Sequence, residues 1–157
     1  MLICVKPKLD ELSYRQKWLT DEKTMAYNQK WGGMIPFPKE KWELWYERWI
    51  INPNRRFYAY LYSEEEKDYV GEISYHYDES YDEIIASVII DDAYRHHGYG
   101  KAGLRLLCDQ ASKMGYRSIC DDIAIDNLSV SMFLKEGFYE VFRNDSIIMV
   151  RKELSSQ

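Results

Sequence analysis

The distribution of apolar positions along the chain predicts an alternation of strands and helices. Apolar, β-branched or aromatic runs between turn residues predict strands at 2–5, 55–62, 69–77, 84–90, 117–125 and over most of 138–150. Apolar residues three, four and seven positions apart predict helical segments within 10–30 and at 38–50, 101–114 and 128–136. The order β-α-α-β-β-β-α-β-α-β indicates one α/β domain over residues 1–157, with a mixed sheet.

Two of these segments indicate where the core lies. The run 84–90 is almost entirely apolar and β-branched, which is typical of a strand buried on both faces. The helix at 38–50 places Trp42, Trp45, Tyr46 and Trp49 on one face, a stripe that favours core packing over a cofactor surface.

Composition and charge narrow the class of protein. The 157 residues are 46% hydrophobic with 8 Gly and 4 Pro, which excludes a low-complexity disordered chain. A net charge of −5 disfavours nucleic acid as a partner.

Cys4, Cys108 and Cys120 lack the spacing of a disulfide framework or a metal site, so we expect reduced thiols and no metal. The apolar run 2–5 is too short for a signal peptide and no run could span a membrane, so we expect a cytoplasmic location without a membrane partner.

The segment 91–103 carries the strongest chemical signal. It joins a buried strand to a helix and contains Gly98, Gly100 and Gly103. Glycines there let the backbone approach a ligand, and a helix N-terminus binds anions. Arg95, Lys101 and Arg105 make this part of an acidic chain locally basic. The segment therefore predicts a phosphate-bearing ligand.

A dinucleotide-binding loop is one interpretation of this segment. The three glycines match G-x-G-x-x-G, and Asp121 or Asp122 follows about 20 residues later, where a ribose-binding acid would lie. However, residues 91–97 separate the strand from Gly98, whereas a dinucleotide loop begins directly where its strand ends. Only 57 residues (157 − 100) follow Gly100, too few for the rest of a doubly wound sheet.

The second interpretation begins with the sequence Arg95-His96-His97-Gly98-Tyr99-Gly100, which has the form R-x-x-G-x-G. This motif, followed by Asp126-Asn127-Leu128-Ser129, Phe133 and Gly137-Phe138, resembles the GCN5-related N-acetyltransferase (GNAT) family, most clearly over 84–138. The resemblance implies a mixed, mostly antiparallel sheet flanked by helices, with acetyl-CoA as co-substrate. Trp31-Gly32-Gly33 and the aromatic helix after it look like the branch that contains aminoglycoside 6′-N-acetyltransferases and ribosomal-protein N-acetyltransferases.

The resemblance also implies which residues contact the coenzyme. The strand lends backbone groups to the pantetheine arm and thioester, the loop amides hold the pyrophosphate, and the following short helix contributes the rest. Carried onto this chain, the coenzyme-binding residues are Val88, Ile89, Ile90, Arg95, His96, His97, Gly98, Tyr99, Gly100, Lys101, Asn127, Ser129 and Phe133. Phe133 stands where the family often has a tyrosine that protonates the leaving thiolate, and phenylalanine cannot donate a proton.

Acetyl transfer to an amine also needs a base that removes a proton from nitrogen. Asp122 is our first candidate, because the aminoglycoside branch carries its catalytic aspartate at the matching position. Glu72, after Gly71 in the second predicted strand of the 55–77 region, is the alternative. The non-catalytic interpretation of Asp121 or Asp122 is a strand end or a pair with Arg117, and that of Glu72 is a solvated strand residue.

The acceptor is the least constrained part of the prediction. Trp31 and Phe37 are the expected acceptor contacts, because the loop between the first helices borders the acceptor in this family. We expect an amine on a small molecule, with a protein N-terminus as the enzymatic alternative. A non-catalytic coenzyme A-binding module is the alternative of a different class. The long terminal strand region also offers an edge for a homodimer.

Overall fold

The centre of the computed structural model, which describes residues 1–155, is a seven-stranded sheet in the order β1-β2-β3-β4-β5-β7-β6. Every neighbouring pair is antiparallel except β4 and β5, which run parallel. The mixed, mostly antiparallel α/β architecture expected above is therefore confirmed. The strands are β1 (Leu2–Val5), β2 (Arg56–Ser63), β3 (Asp68–Asp78), β4 (Glu83–Ile90), β5 (Ser118–Ala124), β6 (Tyr139–Arg143) and β7 (Ile147–Glu153).

Helices cover both faces of the sheet. The α-helices are α1 (Leu12–Leu19), α2 (Trp42–Tyr46), α3 (Tyr99–Lys113) and α4 (Val130–Lys135). Short 3₁₀ segments occur at Leu9–Glu11, Ala26–Trp31, Lys39–Lys41 and Asp92–Tyr94, and a π-helical turn extends α2 over Glu47–Ile51. None of the helices within residues 1–155 combines the length and apolar character that crossing a bilayer requires.

Two faces of the sheet are defined by what packs on them. On the α3 face, Leu104 and Leu107 contact the side chains of Ile73, Ile84 and their neighbours in the largest core cluster. On the opposite α1 face, aromatic side chains of α1 and α2 cover β2, β3 and β4. Trp42 belongs to this second core, and Trp45 packs edge-on against Tyr58 with ring centroids 4.6 Å apart. The tryptophan stripe is therefore core, as its spacing predicts.

Three predicted elements differ in detail from the structure. The helix at 38–50 is divided into 3₁₀, α and π turns, and the π turn ends where Asn52 N–H donates to Glu47 O at 2.8 Å just before Pro53. The second helical segment within 10–30 is 3₁₀, because Asp21 accepts from Thr24 Oγ1 at 2.5 Å and holds a turn after α1. The region 138–150 is two strands, with a hairpin turn at Asn144 between them.

The sheet opens between β4 and β5. Ile85 and Cys120 are the only pair in register between these parallel strands, and beyond it the two strands diverge. At the other end of the sheet, β6 is the edge strand and all five of its residues are exposed. The homodimer expected from the terminal strands stays a prediction.

Gly71 on β3 is required by the close approach of β4. A Cβ atom at this position would lie 2.2 Å from the Ile89 carbonyl oxygen and 3.0 Å from Ile90 Cα, both backbone atoms. We therefore expect Gly71→Ala to lower the free energy of unfolding by about 1–3 kcal/mol, since the strand must shift to admit the methyl group. Urea denaturation measures this change. Gly100→Ala is the stability control, because the nearest atom to its Cβ would be Met132 Sδ at 3.4 Å, an ordinary contact with a flexible side chain. Equal midpoints for the two variants would contradict the expected clash.

Candidate active site

A cleft of about 610 Å³ occupies the opening between β4 and β5. Its walls are the last five residues of β4, the loop that follows, the first turn of α3, the second half of β5 and the start of α4. The 3₁₀ segment Ala26–Trp31 contributes Tyr27 and Trp31 to the rim. A second hollow of about 720 Å³, around Leu9 and Trp42, shares no lining residue with this cleft.

The edge of β4 that faces the cleft has free backbone groups. Asp91 N–H donates to Val70 O on β3 at 2.9 Å. Because the hydrogen-bonding direction of an antiparallel strand alternates from residue to residue, Ile89 also directs its backbone N–H and C=O groups to β3. Val88 and Ile90 consequently direct their N–H and C=O groups to the opposite edge, where β5 has diverged. The splay thus presents strand amides to the cleft instead of to another strand.

The N-terminus of α3 presents further N–H donors to the same cleft. Gly98 precedes the helix with φ +82°, and the first intrahelical bond runs from Ala102 N–H to Gly98 O at 3.1 Å. The N–H groups of the first helical turn therefore lack intrahelical acceptors and carry the positive end of the helix dipole. His96 also has a positive φ of 67°, which is strained for a side-chain-bearing residue and typical of functional loops.

The loop before α3 is anchored to the segment after α1. The Arg95 guanidinium donates to Thr24 O at 2.6 Å and lies 3.6 Å from Asp92 Oδ1. Trp18 Nε1 donates to Asp91 Oδ2 at 3.2 Å, and Asp92 N–H donates to Thr24 Oγ1 at 3.0 Å. These bonds anchor the loop that leads into the free N–H groups at the start of α3.

Glu136 is a member of the site's charge network that sequence reasoning missed. Its carboxylate lies 2.8 Å from Arg105 Nε and 3.6 Å from Lys101 Nζ, which joins the end of α4 to the first turns of α3. The hydrogen bond from Arg105 holds the pKa of Glu136 below its usual value. Lys101 still lines the cleft, whereas Arg105 does not.

Two adjacent aspartates of β5 line the cleft on opposite sides of the sheet. In the register with β7, Asp121 is opposite Val150 of the α3-face core, and Asp122 is opposite Met149. Met149 packs with Ile85 and Cys120 on the α1 face. Because side chains alternate along a strand, Asp121 lies on the α3 face and Asp122 on the α1 face. Burial raises the pKa of both carboxyls, well above the ordinary value for Asp121, where the charge of Asp122 raises it further.

Glu72 lies outside this cleft, in a buried ion pair. Arg15 Nη1 donates to Glu72 Oε2 at 2.6 Å, and Glu72 is only 3% exposed, so the expectation of a solvated strand residue is wrong. The guanidinium is enclosed by aromatic rings, with Trp45 at 4.7 Å and Phe37 at 5.0 Å. Burial raises the pKa of Glu72, and Arg15 opposes that rise. The pair anchors α1 to β3.

The start of α4 closes one wall of the cleft. Asn127 Oδ1 accepts from Ser129 N–H at 2.9 Å and so orders the turn that leads into the helix. Phe133 is 3% exposed and packs edge-on against Phe138 with centroids 4.9 Å apart, yet its ring borders the cleft. This wall is thus apolar where the sequence places phenylalanine instead of tyrosine.

The two predicted acceptor aromatics have different environments. Trp31 is half exposed and lines the cleft. Phe37 is 6% exposed, packs on Trp42, and does not line the cleft. Tyr27 lines the cleft near Trp31. Burial raises the pKa of its phenol, and the charges of Glu72 and Asp121 raise it further.

The cleft therefore brings together most, but not all, of the residues singled out from the sequence. Those that line it are Trp31, Val88, Ile89, Ile90, Arg95, His96, Gly98, Tyr99, Gly100, Lys101, Asp122, Asn127, Ser129 and Phe133. Glu72, Phe37 and His97 do not line it. The cleft is also lined by Tyr27, Ser87, Asp121 and Met132. Of these four residues only Asp121 had a signal in the sequence, because it is adjacent to Asp122. Within residues 1–155, no three His, Cys, Asp or Glu side chains converge as metal ligands would.

The cleft thus combines a splayed parallel strand pair with a helix N-terminus that has free N–H donors, an arrangement suited to an acyltransferase with a phosphate-bearing thioester as its donor. A family model described as "Acetyltransferase (GNAT) domain" matches residues 2–138, and the chain belongs to this family. It is accordingly an N-acetyltransferase that uses acetyl-CoA as co-substrate. No curated protein matches the chain.

Solved structures share this fold at low sequence identity. An N-acetyltransferase from Staphylococcus aureus Mu50 is 18% identical with a TM-score of 0.77, covering 99% of this chain and 98% of that one. A spermidine N-acetyltransferase from Vibrio cholerae, in complex with CoA and spermine, is 15% identical with a TM-score of 0.81, covering 99% and 96%. The PaiA N-acetyltransferase from Thermoplasma acidophilum, in complex with coenzyme A, is 14% identical with a TM-score of 0.70, covering 98% and 99%.

Proposed function

We propose that this enzyme acetylates a primary amine of a small cationic molecule, with Asp122 as the general base. The observation that carries the proposal is the position of the Asp122 carboxyl. It lines the cleft where β4 and β5 diverge, on the face of the sheet away from α3. An amine that approaches from that face meets a carboxylate next to the strand edge that holds the thioester.

The coenzyme would occupy the α3 side of the cleft. Its pyrophosphate would accept hydrogen bonds from the N–H groups of Gly98 to Lys101. Its thioester carbonyl would accept from the free N–H of Val88 or Ile90, which stabilises the oxyanion of the tetrahedral intermediate. Phe133 would pack on the apolar part of the arm.

The reaction then needs only positioning and proton transfer. The neutral amine attacks the thioester carbon, Asp122 takes the proton that nitrogen loses, and the C–S bond breaks as the amide forms. Holding both reactants in one cleft supplies much of the rate enhancement. Burial raises the pKa of Asp122, which strengthens it as a base once ionised.

Charge and size favour a small cationic acceptor. Burial raises the pKa of Asp122, the charge of Asp78 raises it further and His76 opposes that rise. A second carboxylate therefore lies close enough to Asp122 to affect it, although Asp78 does not line the cleft. Two carboxylates favour an acceptor with more than one positive charge. The cleft of about 610 Å³ must hold the end of the coenzyme arm together with the acceptor, and Trp31 borders it. A spermidine N-acetyltransferase of the same fold supports this choice, as does the similarity to the aminoglycoside branch.

We also propose a reducing, cytoplasmic location. Cys4, Cys108 and Cys120 are all free thiols, one of them exposed. Exposed thiols persist unpaired in reducing compartments.

Acetyl-CoA is expected to raise the Tm of the protein by about 5–10 °C at a concentration 100-fold above its Kd. The physical reason is that a ligand that binds only the folded state stabilises it. Thermal denaturation with NAD(H) in place of acetyl-CoA is the control, and we expect no shift there. An absent shift with acetyl-CoA would contradict the coenzyme site placed at α3.

A panel of amines with thiol detection then separates the candidate functions. Release of free CoA with polyamines or aminoglycosides supports the proposal. Release only with peptides that have a free N-terminus would replace it by protein N-terminal acetylation. A Tm shift without CoA release for any amine would identify a coenzyme A-binding module instead of an enzyme.

A further inference from the structure

The breaking C–S bond leaves a thiolate that must gain a proton. A thiol has a pKa of about 8.5, so the product at neutral pH is mainly the protonated form. The apolar side chain of Phe133 borders the cleft on the α4 wall and has no proton to donate. A side chain that donates a proton to sulfur must therefore lie on another wall of the cleft, and solvent is the alternative source of the proton.

Asp121 is placed to face the leaving group. It follows Cys120, the last β5 residue in register with β4, so it lies at the point where the two strands diverge. It lines the cleft on the α3 face, the face on which Phe133 and α3 pack. The pleat of β5 thus directs one carboxyl toward each substrate, Asp122 to the acceptor and Asp121 to the coenzyme.

The surroundings of Asp121 favour its protonated form. Among residues 1–155, no cationic side chain forms an ion pair with it, unlike Glu72, which has Arg15. Burial raises its pKa well above the ordinary value, and the charge of neighbouring Asp122 raises it further. Tyr27 also lines the cleft, although it packs with the cluster on the α1 face. The charges of Glu72 and Asp121 raise the pKa of Tyr27, and those of Arg95 and Arg15 lower it. Two carboxyls with different environments can serve as acid and base in one site.

We propose that Asp121, in its protonated form, is the general acid that delivers a proton to the coenzyme sulfur. The inference rests on the proposed function, because it assigns the second proton transfer of the same reaction.

Every proton and bond in the acetyl transfer is accounted for. The amine nitrogen bonds to the acetyl carbon and gives one proton to Asp122. The C–S electron pair moves to sulfur, which takes the proton of Asp121, so that free CoA thiol and an amide are formed. Asp122 then carries a proton and Asp121 a negative charge, and exchange with solvent through the open cleft restores the starting state.

The test compares two acyl donors on the Asp121→Asn variant, with a polyamine as acceptor. Asparagine keeps the size of aspartate but cannot donate a proton, so we expect kcat with acetyl-CoA to fall by about 100-fold. The selenium analogue of acetyl-CoA has a more acidic leaving group that departs without protonation. With this donor the difference between wild type and variant should shrink to less than about fivefold, since the acid contribution is no longer needed. The fall in wild-type kcat at high pH should also be absent from the variant.

Two matched variants make the result specific. Asp109→Asn changes an exposed aspartate of α3 outside the cleft and should behave as wild type with both donors. Tyr27→Phe removes the other hydroxyl near Asp121, and a donor-dependent defect in this variant alone would overturn the proposal in favour of Tyr27. An equal loss with the sulfur and selenium donors in Asp121→Asn would also overturn it, as would loss of the Tm shift with acetyl-CoA. Wild-type protein that turns over no amine would instead contradict the proposed function, and this inference with it.

Discussion

Replacing Asp122 by asparagine is expected to lower kcat for amine acetylation by about 100-fold or more, because the variant lacks the base that deprotonates the attacking nitrogen. Acetyl-CoA binding should be unchanged, since Asp122 lies on the α1 face and the coenzyme elements lie on the other side of the sheet. Steady-state kinetics measure the first effect and the Tm shift with acetyl-CoA measures the second.

The pH dependence gives this prediction a second readout. Burial raises the pKa of Asp122, so wild-type kcat/KM should fall as the pH drops through a value above the ordinary pKa of about 3.9. This acidic limb of the pH profile reports the coupled titration of Asp121 and Asp122 and not the titration of Asp122 alone. Asp122→Asn should lose it, whereas the control Asp109→Asn should keep both the limb and the rate. Near-wild-type turnover in Asp122→Asn would assign base catalysis to water.

Replacing Arg15 by methionine is expected to lower the free energy of unfolding by about 3–5 kcal/mol, because it leaves the Glu72 carboxylate buried without its partner. Glu72 is 3% exposed and its second oxygen, Oε1, already has no hydrogen-bond partner among the described residues. Methionine keeps much of the apolar volume among Phe37, Trp45 and Tyr58. Denaturant unfolding at pH 8 measures the change.

Matched variants show whether the loss comes from charge or from packing. Arg15→Met combined with Glu72→Leu removes both charges and should recover most of the stability, since apolar residues often replace buried ion pairs at little cost. The sign of the pH effect follows from the raised pKa of Glu72. The stability that protonation of Glu72 gives the folded protein is fully present below the pKa of about 4.3 that Glu72 has in the unfolded chain. This stability is lost as the pH rises through the higher pKa that Glu72 has in the folded protein. The defect of Arg15→Met should therefore be smaller at low pH, and a defect independent of pH would assign the loss to packing.

Local signals in the sequence were sufficient for the framework of the site. The apolar run of β4, the glycines at and just before the start of α3, and the Gly137-Phe138 pair after α4 are each recognised from a few neighbouring residues. A glycine with positive φ, such as Gly98, reflects a backbone requirement that the sequence states directly. The coenzyme loop and the mixed sheet could therefore be predicted, and the cleft includes nearly all of the residues assigned to the coenzyme.

The chemistry on the acceptor side depended on contacts between distant parts of the chain. Glu72 and Asp122 are both carboxylates on predicted strands, but Arg15, 57 residues before Glu72, holds Glu72 in a buried ion pair outside the cleft. Phe37 and Trp31 are both aromatic residues near glycine or proline, but only the packing of α2 decides that Phe37 is buried. Nothing in the local sequence encodes these partners.

What the sequence alone determined about this protein is its family, the order of its elements and the glycine-containing loop that lines the cleft. Only the tertiary structure decided on which side of the sheet each of the adjacent Asp121 and Asp122 lies. The side on which a strand residue lies follows from its register with β7 and from the point where β4 and β5 diverge. A shift of one residue would exchange the two carboxyls. Register is set by long-range pairing of the strands, so two identical neighbours in sequence acquire different environments only when the chain folds.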